Sequence, residues 1–408
     1  MHLKLYKSKV QNSTELTITG SKSESNRLLL LQAIFPELEI DNLSNSDDSR
    51  VMQHALNNND AIVDIHHAGT AMRFLTAYFA SSENRELILT GSERMKQRPI
   101  AVLVDALRNL GAEISYTENE GCPPLKIVGR RFEKGKVTLK ADVSSQYISA
   151  LLLIAPKLEN GLELTLEGEI TSIPYINMTR TLLTEIGVEN SFDSNVIRVL
   201  PKRAPTTNKT ITVESDWSSA SYFYSVIAMC PIGTEITLSS YKKNSLQGDA
   251  VLSKIYRDFG VETSFFDRKI KLQKISEAQK SRVELNLNQA PDIAQTIVTT
   301  CLGMGLSCKL TGLHTLKIKE TDRLEALKNE IGKLGGNIQV SDDALHLESA
   351  IKIKSNVSIA TYNDHRMAMA FAPLALKTSL NIEHPNVVTK SYPKFWEDLR
   401  LLGFKISQ

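Results

Sequence analysis

The sequence predicts an α/β protein assembled from six copies of one unit, grouped three and three, and three observations carry that expectation. Helical runs end on a glycine at a nearly constant interval: Gly111, Gly187, Gly260, Gly335 and Gly403 lie 76, 73, 75 and 68 residues apart. A second series of helix starts interleaves with the first, and from Arg73 through Gln146, Ser218, Asp292 and His365 its steps are 73, 72, 74 and 73. Short β-type runs, such as residues 87–90, 162–166 and 211–213, stand between the helices. Self-similarity at a fixed period signals a repeated supersecondary unit, and alternating helices and strands signal α/β layers.

The first series has helical spacing before each glycine, as in Ile100, Leu103, Leu107, Leu110 and again in Leu324, Leu327, Ile331, Leu334. Glycine sits where a helix C-terminus wants a left-handed residue. The second series is rich in small and apolar residues and opens with polar groups at 23–27, 69–73, 144–146, 216–219, 292 and 364–366. Serine and aspartate there are expected N-caps, and a helix N-terminus also offers open N–H groups and a positive dipole end to an anion. The first unit reads as shortened: Arg27 to Arg73 spans only 46 residues, and its helix closes on Asn57-Asn58-Asn59-Asp60 instead of a glycine.

A chain of 408 residues exceeds one ordinary core, so two domains are expected, with hinges at Gly20-Ser21 and residues 212–214. The 42% hydrophobic and 23% charged composition is that of a globular protein. Residues 1–20 alternate like a strand at Leu3, Leu5, Leu16 and Ile18 without an apolar signal region, and the apolar stretch 148–156 is too short for a bilayer. A cytoplasmic protein without a membrane partner is therefore expected. Cys122, Cys230, Cys301 and Cys308 lack zinc or disulfide spacing and predict free thiols. A net charge of +2 without aromatic-basic interleaving gives no reason to expect a nucleic-acid partner.

Several helix starts hold more chemistry than capping needs. Lys319-Glu320-Thr321-Asp322-Arg323 precedes the helical run at 324–334; Arg98, Tyr175, Asp249 and Lys390 occupy the equivalent places, 13, 12, 11 and 13 residues before their glycines, against 12 for Arg323. Lys22 and Arg27 lie five residues apart around a cap, a spacing suited to gripping an oxyanion. In His67-Ala68-Gly69-Thr70-Ala71-Met72-Arg73 a glycine would let a ligand approach the backbone. Capping accounts for only one of Ser144, Ser145 and Gln146. Asp292, after Pro291, reads as an N-cap that could also serve as a base. In Asn363-Asp364-His365-Arg366 the histidine reads as packed and the arginine as functional, while 216–219 reads mainly as a cap.

Taken in order, Gly20-Ser21-Lys22-Ser23 with Arg27, Ala68 to Arg73, Arg94-Met95-Lys96-Gln97-Arg98-Pro99-Ile100, Ser144-Ser145-Gln146, Pro291-Asp292, 319–323 and 363–366 resemble the EPSP synthase (3-phosphoshikimate 1-carboxyvinyltransferase) family along essentially the whole chain. The resemblance implies two domains, 21–213 and 1–20 plus 214–408, each of three βαβαββ units (the enolpyruvyl transferase fold), with the active site in the interdomain cleft. It implies transfer of the enolpyruvyl group of phosphoenolpyruvate to the 5-hydroxyl of shikimate 3-phosphate, by a monomer without metal or organic cofactor. It assigns shikimate 3-phosphate to Lys22, Ser23, Arg27, Ser144, Ser145, Gln146, Ser172, Tyr175, Asp292 and Lys319, and phosphoenolpyruvate to Lys22, Gly69, Arg98, Gln146, Arg323, Arg366 and Lys390. Asp292 would take the hydroxyl proton, Glu320 would exchange a proton with the methylene carbon, and Lys22 would assist the departing phosphate. His67, Phe74 and Thr315 depart from the family pattern.

The charge arithmetic agrees with that implication. Two phosphates and two carboxylates bring about −5 to −6, against eight cations at Lys22, Arg27, Arg73, Arg98, Lys319, Arg323, Arg366 and Lys390, less Asp292 and Glu320. A sister family, acting on UDP-N-acetylglucosamine, carries a cysteine before its Arg-Pro pair; residues 91–98 hold none. A non-catalytic anion-binding repeat protein would need the cations but not Asp292 and Glu320.

Overall fold

The computed structural model describes residues 2–140, 144–168, 170, 173–202, 209–349 and 352–408. The chain folds into two compact units, one assembled from Met1–Gly20 and Glu214–Gln408, the other from Ser21–Val213.

Each unit is three turns of one motif, and the sheets show the repeat directly. In Ser21–Val213, strands Ile62–Asp64 and Glu86–Thr90 pair in parallel around helix Gly69–Ala80. After helix Ala101–Leu110 the chain returns as the hairpin Glu113–Tyr116 and Leu125–Val128, antiparallel on Glu86–Thr90. Lys136–Lys140, helix Ser145–Ile154, Leu162–Glu167, helix Ile173–Glu185 and the hairpin Asn190–Asp193 with Val196–Val199 repeat the pattern. Among the described residues the third sheet has two strands, Leu38–Asp41 parallel to Lys209–Thr212. Its unit runs from helix Lys22–Ile34 to helix Asp47–Asn57 and on to the next strand without a hairpin, which accounts for the short step between Arg27 and Arg73.

In the other unit all three sheets have four strands. Arg282–Asn286, helix Ala294–Met304, Ser307–Thr311, helix Arg323–Lys333 and the hairpin Ile338–Val340 with Leu345–Leu347 form an uninterrupted copy. The other two copies borrow strands from the chain start. Thr14–Leu16 supplies the parallel partner of Glu235–Ser239, and His2–Leu5 lies between Leu380–Glu383 and Ile406–Ser407.

The two helix series have different burial, and their composition explains it. Helices Trp217–Ala228, Ala294–Met304 and His365–Phe371 are buried on nearly every face, as expected of runs that are small and apolar all round. They pack on one another and are stitched by buried hydroxyls: Ser221 meets Thr296 at 2.9 Å, Thr300 donates to Ser225 at 2.8 Å, and Thr299 donates to the Ala370 carbonyl at 2.8 Å. Glycine-terminated helices bury one stripe only, as in Leu103, Val104, Ala106, Leu107 and Leu110. All five predicted stop glycines have positive φ, from 76° at Gly260 to 115° at Gly111. One helix of that series is reduced: Leu252–Ile255 has four residues and reaches Gly260 through turns. Among the described residues the four cysteines are unbridged, and no helix is long and apolar enough to cross a membrane.

The glycine stops make a graded stability test. At Gly335 an added Cβ would meet nothing closer than 3.6 Å, so Gly335→Ala should cost only the left-handed conformation, about 1 kcal/mol. At Gly260 the Cβ would lie 2.0 Å from the Ser276 carbonyl oxygen, so Gly260→Ala should lower the urea midpoint clearly more than Gly335→Ala does.

Candidate active site

In the unit Met1–Gly20 and Glu214–Gln408, the starts of the three buried helices and of helix Arg323–Lys333, together with Lys390, bring one set of charges together. Arg323 opens its helix at 1% exposure, beside three carboxylates: Nε meets Asp364 Oδ2 at 2.6 Å, Nη1 meets Asp292 Oδ1 at 2.8 Å and Nη2 meets Glu320 Oε2 at 2.8 Å. Arg366 reaches Asp292 Oδ2 from Nη2 at 3.2 Å and the Asp292 carbonyl from Nη1 at 3.2 Å. Lys319 lies 3.6 Å from Asp292 Oδ1, and the buried Lys390 ammonium is 2.7 Å from Glu320 Oε1.

These pairings set the proton affinities. Burial alone would raise the Asp292 carboxyl, but Arg366, Lys319 and Arg323 outweigh it and hold the group well below the usual carboxylate range. Burial would lower Arg323, yet Asp364, Glu320 and Asp292 drive it above the usual arginine value. Asp292 pulls Lys319 upward, but burial and Arg323 together leave the ammonium below its ordinary value.

Local structure corrects two sequence expectations here. Asp292 lies inside the 3-10 turn Pro291–Ile293 and caps no helix with its side chain, so its carboxylate is left to the arginines. The start at 216–219 does more than cap: Asp216 Oδ1 accepts from the Ser218 and Ser219 amides, while the Ser218 hydroxyl accepts from Arg366 Nη2 at 3.3 Å and donates to Asp249. Capping at Asp322 and Asp364 is as expected, with Asp364 accepting from the Arg366 amide at 2.8 Å. His365 is packed at 2% exposure.

Within Ser21–Val213 a second set forms. Ser21 caps helix Lys22–Ile34, and Lys22 pairs with Asp48 at 3.0 Å. Arg27 turns inward: Nε donates to Thr179 Oγ1 at 2.7 Å, Nη1 to the Ser23 carbonyl at 2.8 Å, and Nη2 to Ser149 Oγ at 3.0 Å and the Tyr175 carbonyl at 3.3 Å. Burial pulls its pKa down to about 10, and the Phe74 ring lies 5.4 Å from its guanidinium carbon. Two of these four bonds hold the Ser23 and Tyr175 carbonyls and two go to the Thr179 and Ser149 hydroxyls, whereas Lys22 is paired with Asp48.

At Gly69 the helix opens without a side-chain cap, and a Cβ there would lie 2.6 Å from Arg98 Nη1 and 3.0 Å from Arg73 Nη1. Two guanidinium groups therefore overlie an open helix start, a ready anion cradle. Arg73 Nη1 donates to the Gly69 carbonyl at 3.0 Å. Ser144 caps the next buried helix, Ser145 is buried, and Gln146 Nε2 donates to Thr70 Oγ1 at 3.2 Å. Ser172 lies outside the described residues. Of the departures, His67 is exposed, and the Thr315 hydroxyl is buried without a hydrogen-bond partner among the described residues.

The family model described as EPSP synthase (3-phosphoshikimate 1-carboxyvinyltransferase) matches residues 53–399. A 3-phosphoshikimate 1-carboxyvinyltransferase of Bacteroides fragilis is 45% identical over 401 residues, with 97% of each chain covered. The chain belongs to the EPSP synthase family. The Haemophilus influenzae member is 34% identical over 422 residues, covering 96% of each chain. Among solved structures, EPSP synthase from Acinetobacter baumannii superposes with TM-score 0.80 at 19% identity over all of both chains. The enolpyruvyl transferase NikO from Streptomyces tendae gives 0.73 at 13%, covering 100% of this chain and 98% of that one. The fold is accordingly the two-domain enolpyruvyl transferase fold.

Sequence reasoning passed over Asp48, which reads as an ordinary acid in a helix first turn, placed Asp249 at a helix start equivalent to that of Arg323 without giving it a role, and set Ser218 aside as part of a cap. Their distance in sequence from Lys22 and Arg366 leaves no local signal. For Asp364, whose side chain is fully buried against Arg323, Asp364→Asn should cost about 3 kcal/mol because it leaves a buried guanidinium short of charge; calorimetric unfolding measures it.

Proposed function

We propose that this EPSP synthase family member transfers the enolpyruvyl group of phosphoenolpyruvate to the 5-hydroxyl of shikimate 3-phosphate, and that carboxylate–cation pairs hold its charges until the substrates replace them. One observation carries the reading. Asp292 and Glu320 are each in contact with cations that anion binding would require, Lys319, Arg323 and Arg366 on the first, Arg323 and Lys390 on the second. A protein that only bound anions would be weakened by both carboxylates, so their placement fits proton transfer.

Phosphoenolpyruvate falls to Lys22, Gly69, Arg98, Gln146, Arg323, Arg366 and Lys390, and shikimate 3-phosphate to Lys22, Ser23, Arg27, Ser144, Ser145, Gln146, Ser172, Tyr175, Asp292 and Lys319, with Arg27 also holding the Ser23 and Tyr175 carbonyls. With its cations in place Asp292 is a weak base. Substrate anions that draw Arg323, Arg366 and Lys319 toward themselves raise its proton affinity, so it can take the 5-hydroxyl proton as that oxygen bonds to C2 of phosphoenolpyruvate. Glu320, once protonated, delivers its proton to the methylene carbon, giving a methyl in a tetrahedral intermediate. The C2–O bond to phosphate then breaks, and the methyl returns a proton to Glu320, which restores the enol double bond. The departing phosphate, neutralised by Lys22, takes up the proton that Asp292 removed from the hydroxyl, which returns Asp292 to its charged form. The reading includes a monomer working in the cytoplasm, and sedimentation tests the former.

Phosphate release with phosphoenolpyruvate and shikimate 3-phosphate should proceed, and none should occur with UDP-N-acetylglucosamine; silence with the first acceptor overturns the reading. Glu320→Gln should lower kcat by roughly a hundredfold or more while KM values stay within a few-fold. In Gly69→Ala the new methyl must displace Arg98, so KM for phosphoenolpyruvate should rise about tenfold with little change for the acceptor.

A further inference from the structure

One buried carboxylate beside the site has no part in that mechanism. Asp249 lies in the turn Gly248–Val251 at 2% exposure. The turn is tied to the neighbouring helix start, since Gln247 Oε1 accepts from the Trp217 amide at 2.9 Å and Gln247 Nε2 donates to the Ser215 carbonyl at 2.9 Å. That fixture places Asp249 Oδ2 against the Ser218 hydroxyl, whose oxygen accepts from Arg366 Nη2 at 3.3 Å. The same Nη2 lies 3.2 Å from Asp292. A hydroxyl has one proton, so while Asp249 takes it the Ser218 lone pairs are turned toward Arg366.

We infer that Asp249 is a positioning residue for Arg366, acting through the Ser218 hydroxyl, and that its negative charge is required for Arg366 to hold phosphoenolpyruvate. The inference rests on the assignment of Arg366 to that substrate. Asp249 supplies a second buried counter-charge to a guanidinium that must stay oriented when Asp292 gives it up. The charges around Asp249 are Asp292 and Asp216, which oppose its ionisation, and Arg366, which favours it. Burial, with Asp292, pushes its pKa up to about 6. Above that pH Asp249 is charged and Arg366 is held; as pH falls through it the charge is lost and the grip loosens.

The test compares the native protein with Asp249→Asn and Ser218→Ala between pH 5 and 8 (about one unit below and two above the Asp249 value). The phosphate of phosphoenolpyruvate itself titrates near pH 6, so the readout is the ratio of native to variant kcat/KM, in which the substrate cancels. For Asp249→Asn the ratio should be roughly ten at pH 8, carried by KM for phosphoenolpyruvate with kcat within about threefold, and should approach one near pH 5. Ser218→Ala should show the same KM increase at pH 8. A ratio that stays flat with pH, or a loss confined to kcat or to the melting temperature, overturns the inference. If Asp249→Asn does not fold, Ser218→Ala decides on the same KM criterion. A native protein that releases no phosphate overturns the functional reading and this inference with it, whereas an active native protein with flat ratios overturns the inference alone.

Discussion

A guanidinium removed from water must keep counter-charge, and in the C-terminal unit Arg323 imposes that requirement on everything near it. At 1% exposure it is surrounded by Asp292, Glu320 and Asp364, each on a different segment, so two successive repeats are fixed to one side chain. The energy of such a cluster is a small difference between desolvation and attraction; removing one member costs much more than the cluster contributes. The cluster therefore specifies geometry more than it stabilises. What it specifies is where two carboxylates stand relative to Lys319, Arg366 and Lys390.

The repeat makes this cluster possible. A parallel strand–helix–strand crossover sends each buried helix through its unit in the same sense, so helix starts from successive repeats meet. In one unit that meeting is the contact of Arg366 with Asp292 and Ser218; in the other it is the approach of Gln146 to Thr70. Burial of the helices on all sides leaves their polar starts as the places where charge can be used.

Period, glycine stops and most caps were legible in the sequence because each is a local rule: spacing, left-handed backbone, an acceptor near open N–H groups. The cations were legible because they recur at matching places. What escaped was the partner of each cation. Asp48 meets Lys22, and Asp249 reaches Arg366 through Ser218, across 26 and more than a hundred residues of chain. The partners of Arg27 escaped for the same reason, since Thr179 and Ser149 meet it from another repeat. Counting eight cations against two carboxylates therefore overstated the unpaired charge, which Asp48 and Asp364 further reduce.

Paired cations do not defeat anion binding, because the exchange is between unequal partners. A carboxylate carries one charge, whereas a phosphate carries about −1.5 to −2 and presents three acceptor oxygens. Moving Arg323 or Arg366 from Asp292 onto a substrate trades one charge-assisted bond for another at little net cost in solvation, since the guanidinium is already buried. In the proposed mechanism the gain is kinetic: each cation that leaves Asp292 would return proton affinity to it at the moment a hydroxyl proton is to be taken. Binding and base activation are then one event, and a carboxylate that looks too acidic to act becomes basic only when there is substrate to act on.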